Sequence, residues 1–485
     1  MRFWPLFLPC FLFAQSFREV DAIFEKQFQD AKYPGLVYGI VMDGKLVHQK
    51  AFGTAKADTI FRIASMTKSF TVLGILKLRD EGKLSLDDPI VKFIPKARGI
   101  RPPTSDSPAI TVRHLLTHGA GFPEDNPWGD RQLAISDAEL DKWLEKGLPF
   151  STAPGTAYEY SNYGFALLGR IVQVASGKNY KTYMEQEIFK PLGLTSSYLD
   201  AKDAPQARLA KGLGYRNGEL FEIPSLAHGA FGAMGGLMLD GQDMAKYIAY
   251  HLSAWPPRDE AEKGPVKRSS LREMQQLQRQ GFFGTGGPRG ATSGGYGYGL
   301  NISQDCDFAH IVGHGGGLPG FGSYMMWLPE YGVGMYAMAN LTYASTAGTI
   351  RTALVHLQKE GLIQPRKLPV TPVLSKTREA LIDLYKKPAP AALDALAADN
   401  LYPDLPREMR IAEIEKLRES HGQCSAGPLQ PENWLRGRFL LTCDRGRIEA
   451  SFTLAPTQPP LVQYLRYREV KAEEKWGEAP RCASR

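Results

Sequence analysis

A serine and a lysine three residues apart open a strongly apolar segment: Ser65 and Lys68 in "FRIASMTKSFTVLGILKL", residues 61–78. A buried ammonium without a partner is costly, so Lys68 needs a reason to be there. Phe70, Val72, Leu73, Ile75, Leu76 and Leu78 follow it, and Gly82 supplies a helix stop. The pattern predicts a helix from about Ser65 to Glu81, apolar nearly all round and therefore buried. Positions three apart on a helix share a face. A serine hydroxyl is a poor nucleophile until a base takes its proton. A lysine desolvated by apolar neighbours loses basic strength and can be that base. The plain alternative is a lysine that snorkels to the surface beside a helix-start serine.

Two further segments carry polar groups of the right kind. Tyr160-Ser161-Asn162, in "YEYSNYGFALLGRIV", precedes an apolar helix, so a phenol and a carboxamide can reach one site from a single loop. The same Tyr-x-Asn spacing recurs at Tyr215-Arg216-Asn217, but Gly218 and Glu219 follow, and that copy reads as a hairpin turn. His314-Gly315-Gly316, in "IVGHGGGLPGFGSYMMWLP", ends an apolar strand signal. Its glycines allow a substrate close to the backbone, as at an edge strand facing a cleft. A Gly-rich turn with a surface histidine is the simpler reading of that stretch alone.

The elements that must position these groups are legible in outline. Residues 35–53 read as a hairpin around Asp43-Gly44. Residues 87–250 read as helical, with Gly- and Pro-rich loops such as "HGAGFPEDNPWGD". Strand signals follow near 294–302, 308–316 and 322–340, the last with a turn at Pro329–Gly332, and "AGTIRTALVHLQKEG" closes as a helix. Strands, then helices, then strands and a helix predict an α+β fold: an antiparallel sheet flanked by helices, beside an all-helical region. A Pro-rich stretch at 364–374 reads as a linker. Beyond it, helices near 375–387 and 406–420 and three strands predict a small α+β domain over 375–485. In the strand "RIEASFTLAP", Ile448, Ala450, Phe452 and Leu454 share one face.

The chain has 485 residues, too many for one compact core. Its net charge of +7 is spread along the chain without a basic block, which argues against nucleic-acid binding. "MRFWPLFLPCFLFAQS" reads as a signal peptide, 1–14, cleaved after Ala14. A retained apolar anchor is the other reading. No later apolar run is long enough to span a membrane. The domain over 15–363 is thus expected in the periplasm or outside the cell. Cys306, Cys424, Cys443 and Cys482 remain after cleavage, and Cys424–Cys443 is the expected disulfide because the pair flanks a short loop. Neither the cysteines nor the nine histidines cluster at metal-ligand spacing, so no metal or cofactor is expected.

Ser-x-x-Lys, Tyr-x-Asn and His-x-Gly in this order resemble the serine β-lactamase and penicillin-binding protein superfamily. The likeness is nearest to the class C β-lactamase-like branch, which also holds D-aminopeptidases, D-alanyl carboxypeptidases and esterases. It covers roughly residues 20–360 and extends to "HLLTHGAGFP", "YSNYGFALLG" and "IFKPLGLTSS". His114 and His118 in the first of these read as core or loop residues. The resemblance implies that Ser65 is acylated, that Lys68 and Tyr160 form the base system, and that Asn162 orients Lys68 and the substrate. It further implies substrate and oxyanion contacts from His314, Gly316 and Gly317, with the N–H groups of Ser65 and Gly317 as oxyanion donors.

One departure matters. Lys-Thr-Gly occurs nowhere in the chain, and His314 stands in its place. An imidazole, mostly neutral at pH 7, loses the preference of a lysine for a substrate carboxylate. The expectation is an exported serine hydrolase acting on ester, peptide or amide bonds of a small-molecule or peptide substrate. A true β-lactamase or D-alanyl-D-alanine carboxypeptidase is one alternative. A non-catalytic scaffold that binds peptidoglycan or a partner is the other.

Overall fold

The computed structural model describes residues 8–287, 290–474 and 476–477. Met1–Phe7 of the expected signal segment and Cys482 lie outside the described residues. The chain divides into two compact units, one running to Pro365 and the other beginning at Arg366.

In the first unit, helix α1 (Leu8–Asp30) leads to the hairpin β1 (Gly35–Met42) and β2 (Lys45–Gly53). Asp43 and Gly44, both at positive φ, make its turn. The short β3 (Phe61–Arg62) precedes α2 (Thr67–Asp80). Next come α3 (Val112–Leu116), α4 (Asp137–Lys146), α5 (Asn162–Ser176), α6 (Tyr180–Met184), β4 (Ser197–Tyr198), β5 (Leu213–Arg216) and β6 (Glu219–Glu222). They are followed by α7 (Gly232–Gly235), β7 (Met238–Leu239), α8 (Gly241–Leu252) and α9 (Arg268–Met274). The unit closes with β8 (Arg279–Gly287), β9 (Gly290–Tyr296), β10 (Asn301–Gln304), β11 (Ile311–Leu318), β12 (Phe321–Leu328), β13 (Val333–Ala339) and α10 (Ala347–Lys359).

Strands from the two ends of this unit form one eight-stranded sheet, in the order β2-β1-β13-β12-β11-β10-β9-β8. Every pairing in it is antiparallel. Alternate residues face opposite sides of a strand, and here both sides are covered. Leu36, Tyr38 and Ile40 of β1 pack with Val20 and Phe24 of α1 and with Ile350, Leu354 and Leu357 of α10. Val37 and Val41 point the other way, into a core with Phe70 and Leu73 of α2 and with Tyr247 and Ile248 of α8. Two-sided burial explains why β13 is apolar without alternation: all of its residues are buried.

Helix α2 is buried from Thr67 to Leu76 and again at Leu78. It packs against α5, α6 and α7 as well as facing the sheet-side core. Each large apolar side chain buried this way contributes roughly 1.5–3 kcal/mol. The site therefore stands on a largely enclosed helix.

Several expectations are corrected. The helical middle is not all-helical: β7 and β4 pair there in a small sheet with β3, while the hairpin turn expected at Asn217-Gly218 does join β5 to β6. The signal near 294–302 is two strands, because Gly299 at φ +66 breaks it. Residues 280–287 belong to strand β8; their Gly-rich composition hides any alternation. Helix α2 begins at Thr67, and Ser65 sits on a separate 3-10 turn, Ala64–Met66.

The second unit opens with α11 (Pro372–Lys386), so the extended segment is shorter than the Pro-rich composition predicts. Helices α12 (Pro390–Asp394) and α13 (Arg407–His421) follow, then β14 (Cys424–Ala426), β15 (Gln430–Asn433), β16 (Arg436–Cys443), β17 (Gly446–Leu454) and β18 (Val462–Val470). The strands make one antiparallel sheet in the order β14-β16-β17-β18, with β15 also on β16. Ile448, Ala450, Phe452 and Leu454 pack in one core with Leu381 and Leu384 of α11. Cys424 and Cys443 are directly opposed on β14 and β16 and form a disulfide. No helix among the described residues is long and apolar enough to cross a membrane.

Candidate active site

The site begins at a strained turn. Ala64 has φ +50, a left-handed conformation that costs an L-residue with a side chain roughly 1–2 kcal/mol. Neighbours hold it there. Ser323 Oγ donates to the Ile63 carbonyl at 3.0 Å, and the Ile63 N–H donates to the Leu237 carbonyl at 3.0 Å. Strand β11 lies so close that a Cβ on Gly316 would meet the Ile63 oxygen at 2.1 Å and the Ala64 Cβ at 3.1 Å. Only glycine lets the strand approach this far. The turn carries Ser65, 7% exposed, to the head of α2.

Lys68, fully buried, donates to three acceptors: Ser65 Oγ at 3.0 Å, Asn162 Oδ1 at 2.7 Å and the Met234 carbonyl at 3.0 Å. Three acceptors match the three protons of an ammonium. Burial outweighs the pull of Asp130 and Asp125 and brings its pKa down to about 7. Near neutrality the amine can lose one proton, keep its bonds to Asn162 and Met234, and accept the proton of Ser65.

Asn162 is placed by the start of α5. The Ser161 side chain caps that helix by accepting from the Gly164 N–H, and Asp125 accepts the N–H groups of Asn162 and Tyr163 at 2.7 and 2.8 Å. The amide nitrogen of Asn162 donates to Asn126 Oδ1 at 2.6 Å and reaches Asp130 Oδ1 at 3.5 Å. Acceptors around the nitrogen leave the oxygen for Lys68. Burial raises the pKa of both Asp125 and Asp130 against the favourable bonds they accept.

The Tyr160 phenol hydrogen-bonds Ser65, and burial holds its pKa well above the usual value, so it stays protonated. Lys68 Nζ lies 4.9 Å from the centre of its ring. The His118 ring packs 4.3 Å from the Tyr160 ring and 4.5 Å from that of Tyr296. His118 Nδ1 accepts the Ser161 N–H at 3.0 Å. Its Nε2 is buried without a hydrogen-bond partner among the described residues. Tyr296 donates its hydroxyl to His314 Nε2 at 2.8 Å, and His314 Nδ1 donates to the Gly315 carbonyl at 2.5 Å. Both ring nitrogens are thus committed in the neutral form. Burial and Lys68 push the His314 pKa down to about 3.

A cleft of about 550 Å³ opens over these groups, lined by Ser65, Tyr160 and His314 and by Gly315 and Gly317 of β11. Strand β11 is interior to the sheet, which corrects the edge-strand expectation. Its pairing with β10 nevertheless ends at Gly313, so residues 314–318 have no strand on that side. Gly316 turns from the cleft to the nucleophile turn, while a Cβ on Gly317 would strike the Tyr343 ring at 2.6 Å. Ser65, Lys68, Tyr160, Asn162 and His314, from three separate segments, meet here. Sequence reasoning missed Asp125, Asn126, Asp130, Tyr296 and Tyr343. The run "PEDNPWGD" between two Gly-rich signatures was a usable signal for the first three, since short polar side chains there can cap a helix. No group of three or more His, Cys, Asp or Glu side chains that could hold a metal occurs among the described residues.

This nucleophile turn, buried lysine and Tyr-x-Asn loop lie within residues 20–359, which match the family model described as Beta-lactamase. The chain belongs to that family. It is similar to Protein flp of Staphylococcus aureus, 26% identical over 344 residues, a match covering 67% of this chain and 63% of that one. The chain thus spans less than two thirds of that relative. Among solved structures it resembles the octameric penicillin-binding protein homologue from Pyrococcus abyssi, with a TM-score of 0.60 and 22% identity over 94% of this chain and 96% of the other. It also resembles EstCE1, a hydrolase with promiscuous acyltransferase activity, with a TM-score of 0.58 and 20% identity over 70% of this chain and 98% of the other. At those identities the likeness shows the fold.

Proposed function

We propose that the chain is an exported serine hydrolase acting through an acyl-enzyme on ester, peptide or amide bonds. The observation that carries this reading is the 3.0 Å contact between Ser65 Oγ and the buried Nζ of Lys68. Neutral Lys68 takes the Ser65 proton as Oγ attacks the substrate carbonyl carbon. The negative charge forming on the carbonyl oxygen is met by the N–H groups of Ser65 and Gly317. The tetrahedral intermediate collapses, the bond to the leaving group breaks, and that group takes the phenolic proton of Tyr160, which Lys68 replaces. Water then attacks the acyl carbon, gives its proton back through the same pair, and frees the acid and Ser65. Asn162 holds Lys68 throughout.

A His314 that is neutral at working pH gives a substrate carboxylate no cation to pair with. This favours ester, peptide or amide substrates over penicillins and over peptides ending in free D-alanine. The apolar segment 1–14 and the Cys424–Cys443 disulfide both support an oxidising compartment, periplasmic or extracellular. The second unit acts as an accessory domain. The test is a panel of p-nitrophenyl esters, D-amino-acid amides and nitrocefin, run on wild type and Ser65→Ala. Esters or amides should be hydrolysed faster than nitrocefin, and a fluorophosphonate adduct should map to Ser65. Failure of Ser65 to be labelled by any acylating probe would leave a binding scaffold instead.

A further inference from the structure

The charge inventory of the cleft is one-sided. Lys68 is sealed beneath it, and His314 is committed as a neutral ring. Among the described residues that line the cleft, Asp130 is the one carboxylic acid, and none is a lysine or arginine. It is 2% exposed, and no lysine or arginine among the described residues makes a direct ion pair with it, although Lys68 and Arg131 favour its charged form through space. Among the described residues its hydrogen-bond donors are the Tyr343 hydroxyl at 3.0 Å and the distant Asn162 amide at 3.5 Å. A carboxylate has about four lone-pair sites, so Asp130 has acceptor capacity to spare.

Phenol rings share the cleft with it. Tyr158, Tyr324 and Tyr343 line the same cleft. Tyr343 is held at φ +54, a conformation rare for an aromatic residue, with its ring packed over Gly317 and its hydroxyl on Asp130. An under-bonded carboxylate in a cleft that phenol rings also line is chemistry that takes an organic cation: Coulombic attraction from the carboxylate and ring quadrupoles from the aromatic side chains. An anionic substrate would meet Asp130 as a like charge in a site of low dielectric.

We propose that Asp130, with Tyr343, forms a subsite for a positively charged group on the substrate, an ammonium or quaternary ammonium near the scissile bond. The inference rests on the hydrolase reading and adds the substrate's charge to it. Burial raises the Asp130 pKa, and a bound cation offsets that by favouring the carboxylate.

Two measurements test this and separate its failure from that of the hydrolase reading. The first is hydrolysis of a pair of p-nitrophenyl esters, one of a trimethylammonio-alkanoic acid and one of its uncharged tert-butyl isostere. Wild type should favour the cationic ester by about tenfold in kcat/KM, the scale of a cation–π and carboxylate contact. Asp130→Asn should bring the ratio close to one, and Tyr343→Leu should lower it. The ratio cancels any effect of Asp130 on Lys68, which acts on both esters alike. The second measurement is calorimetric binding of choline against 3,3-dimethylbutan-1-ol, its uncharged isostere, to Ser65→Ala, which needs no turnover. Choline should bind about tenfold more tightly, and less so after Asp130→Asn is added. Equal binding of the two, or a preference that survives Asp130→Asn, overturns the cation subsite even where Ser65-dependent hydrolysis is intact. Cation-selective binding without hydrolysis of any ester or amide overturns the hydrolase reading and leaves the subsite standing.

Discussion

Lys68 is held more closely by Asn162 than by Ser65: Nζ to Oδ1 is 2.7 Å, against 3.0 Å to Oγ. The carboxamide is therefore the anchor and the serine the partner that can be released. Asn162→Ala should lower kcat by about a hundredfold through misplacement of the amine. Asn162→Asp should do so differently. A carboxylate beside Lys68 favours the ammonium and raises its pKa, so the rise of kcat with pH should move upward, and part of the activity should return at higher pH. Full pH–rate profiles of both variants check this.

Removing the reacting groups should abolish turnover. Ser65→Ala and Lys68→Ala are each expected to reduce kcat by at least about a thousandfold. Circular dichroism should show the fold retained. Rates near wild type in either variant would overturn the mechanism.

Lys68 also links stability to pH. Its folded pKa, about 7, lies below the usual lysine value of 10.5. Between those values the unfolded chain binds the extra proton, so this group's contribution to stability rises with pH across the window. Lys68→Met removes that linkage. Denaturant titrations at pH 6 and pH 9 should show wild type gaining on Lys68→Met at the higher pH. The same pKa predicts an acid limb of kcat/KM near 7. His314, pushed down to about 3, contributes no limb above pH 5.

The approach of β11 to the nucleophile turn should be intolerant. Gly316→Ala places a Cβ 2.1 Å from the Ile63 oxygen. A stability loss of about 1–3 kcal/mol is expected, with activity falling further as Ser65 is displaced. Gly348→Ala is the control: its Cβ meets nothing within 4 Å on α10, and it should raise Tm slightly. Calorimetry on both variants tests the contrast.

Reducing the second unit should weaken it locally. The Cys424–Cys443 bond closes a loop with a sequence separation of 19, which corresponds to about 3 kcal/mol in the loop-entropy account. Cys424→Ser with Cys443→Ser should lower the unfolding transition of that unit, followed by limited proteolysis within 366–480.

Much of this site was legible because its chemistry is local. Ser65 and Lys68 betray themselves by polarity inside an apolar segment, and Asn162 by its place at a helix start. The two Tyr-x-Asn copies were separable because Asn217-Gly218 is a turn signal and Asn162-Tyr163 is not. The partners of these residues were not legible. Asp125 acts by accepting N–H groups 37 and 38 residues further along the chain, and no local pattern announces such a bond. The same holds for strands. Residues 322–340 read clearly as a hairpin, whereas β8 has too many glycines to alternate and is fixed by pairing with β9. The 3-10 turn at Ala64–Met66 was likewise hidden, since tertiary contact rather than propensity bends alanine into a left-handed conformation.

That alanine has a consequence for how the protein fails. Because residue 64 does not favour its own geometry, the aim of the serine is imposed from outside, chiefly by Ser323 and Gly316 in the sheet. Loosening of β11 and β12 lets the backbone at 64 spring back and swing the hydroxyl away while most of the fold persists. Inactivation on mild heating or in low denaturant should then run ahead of melting, and reverse on cooling or dilution.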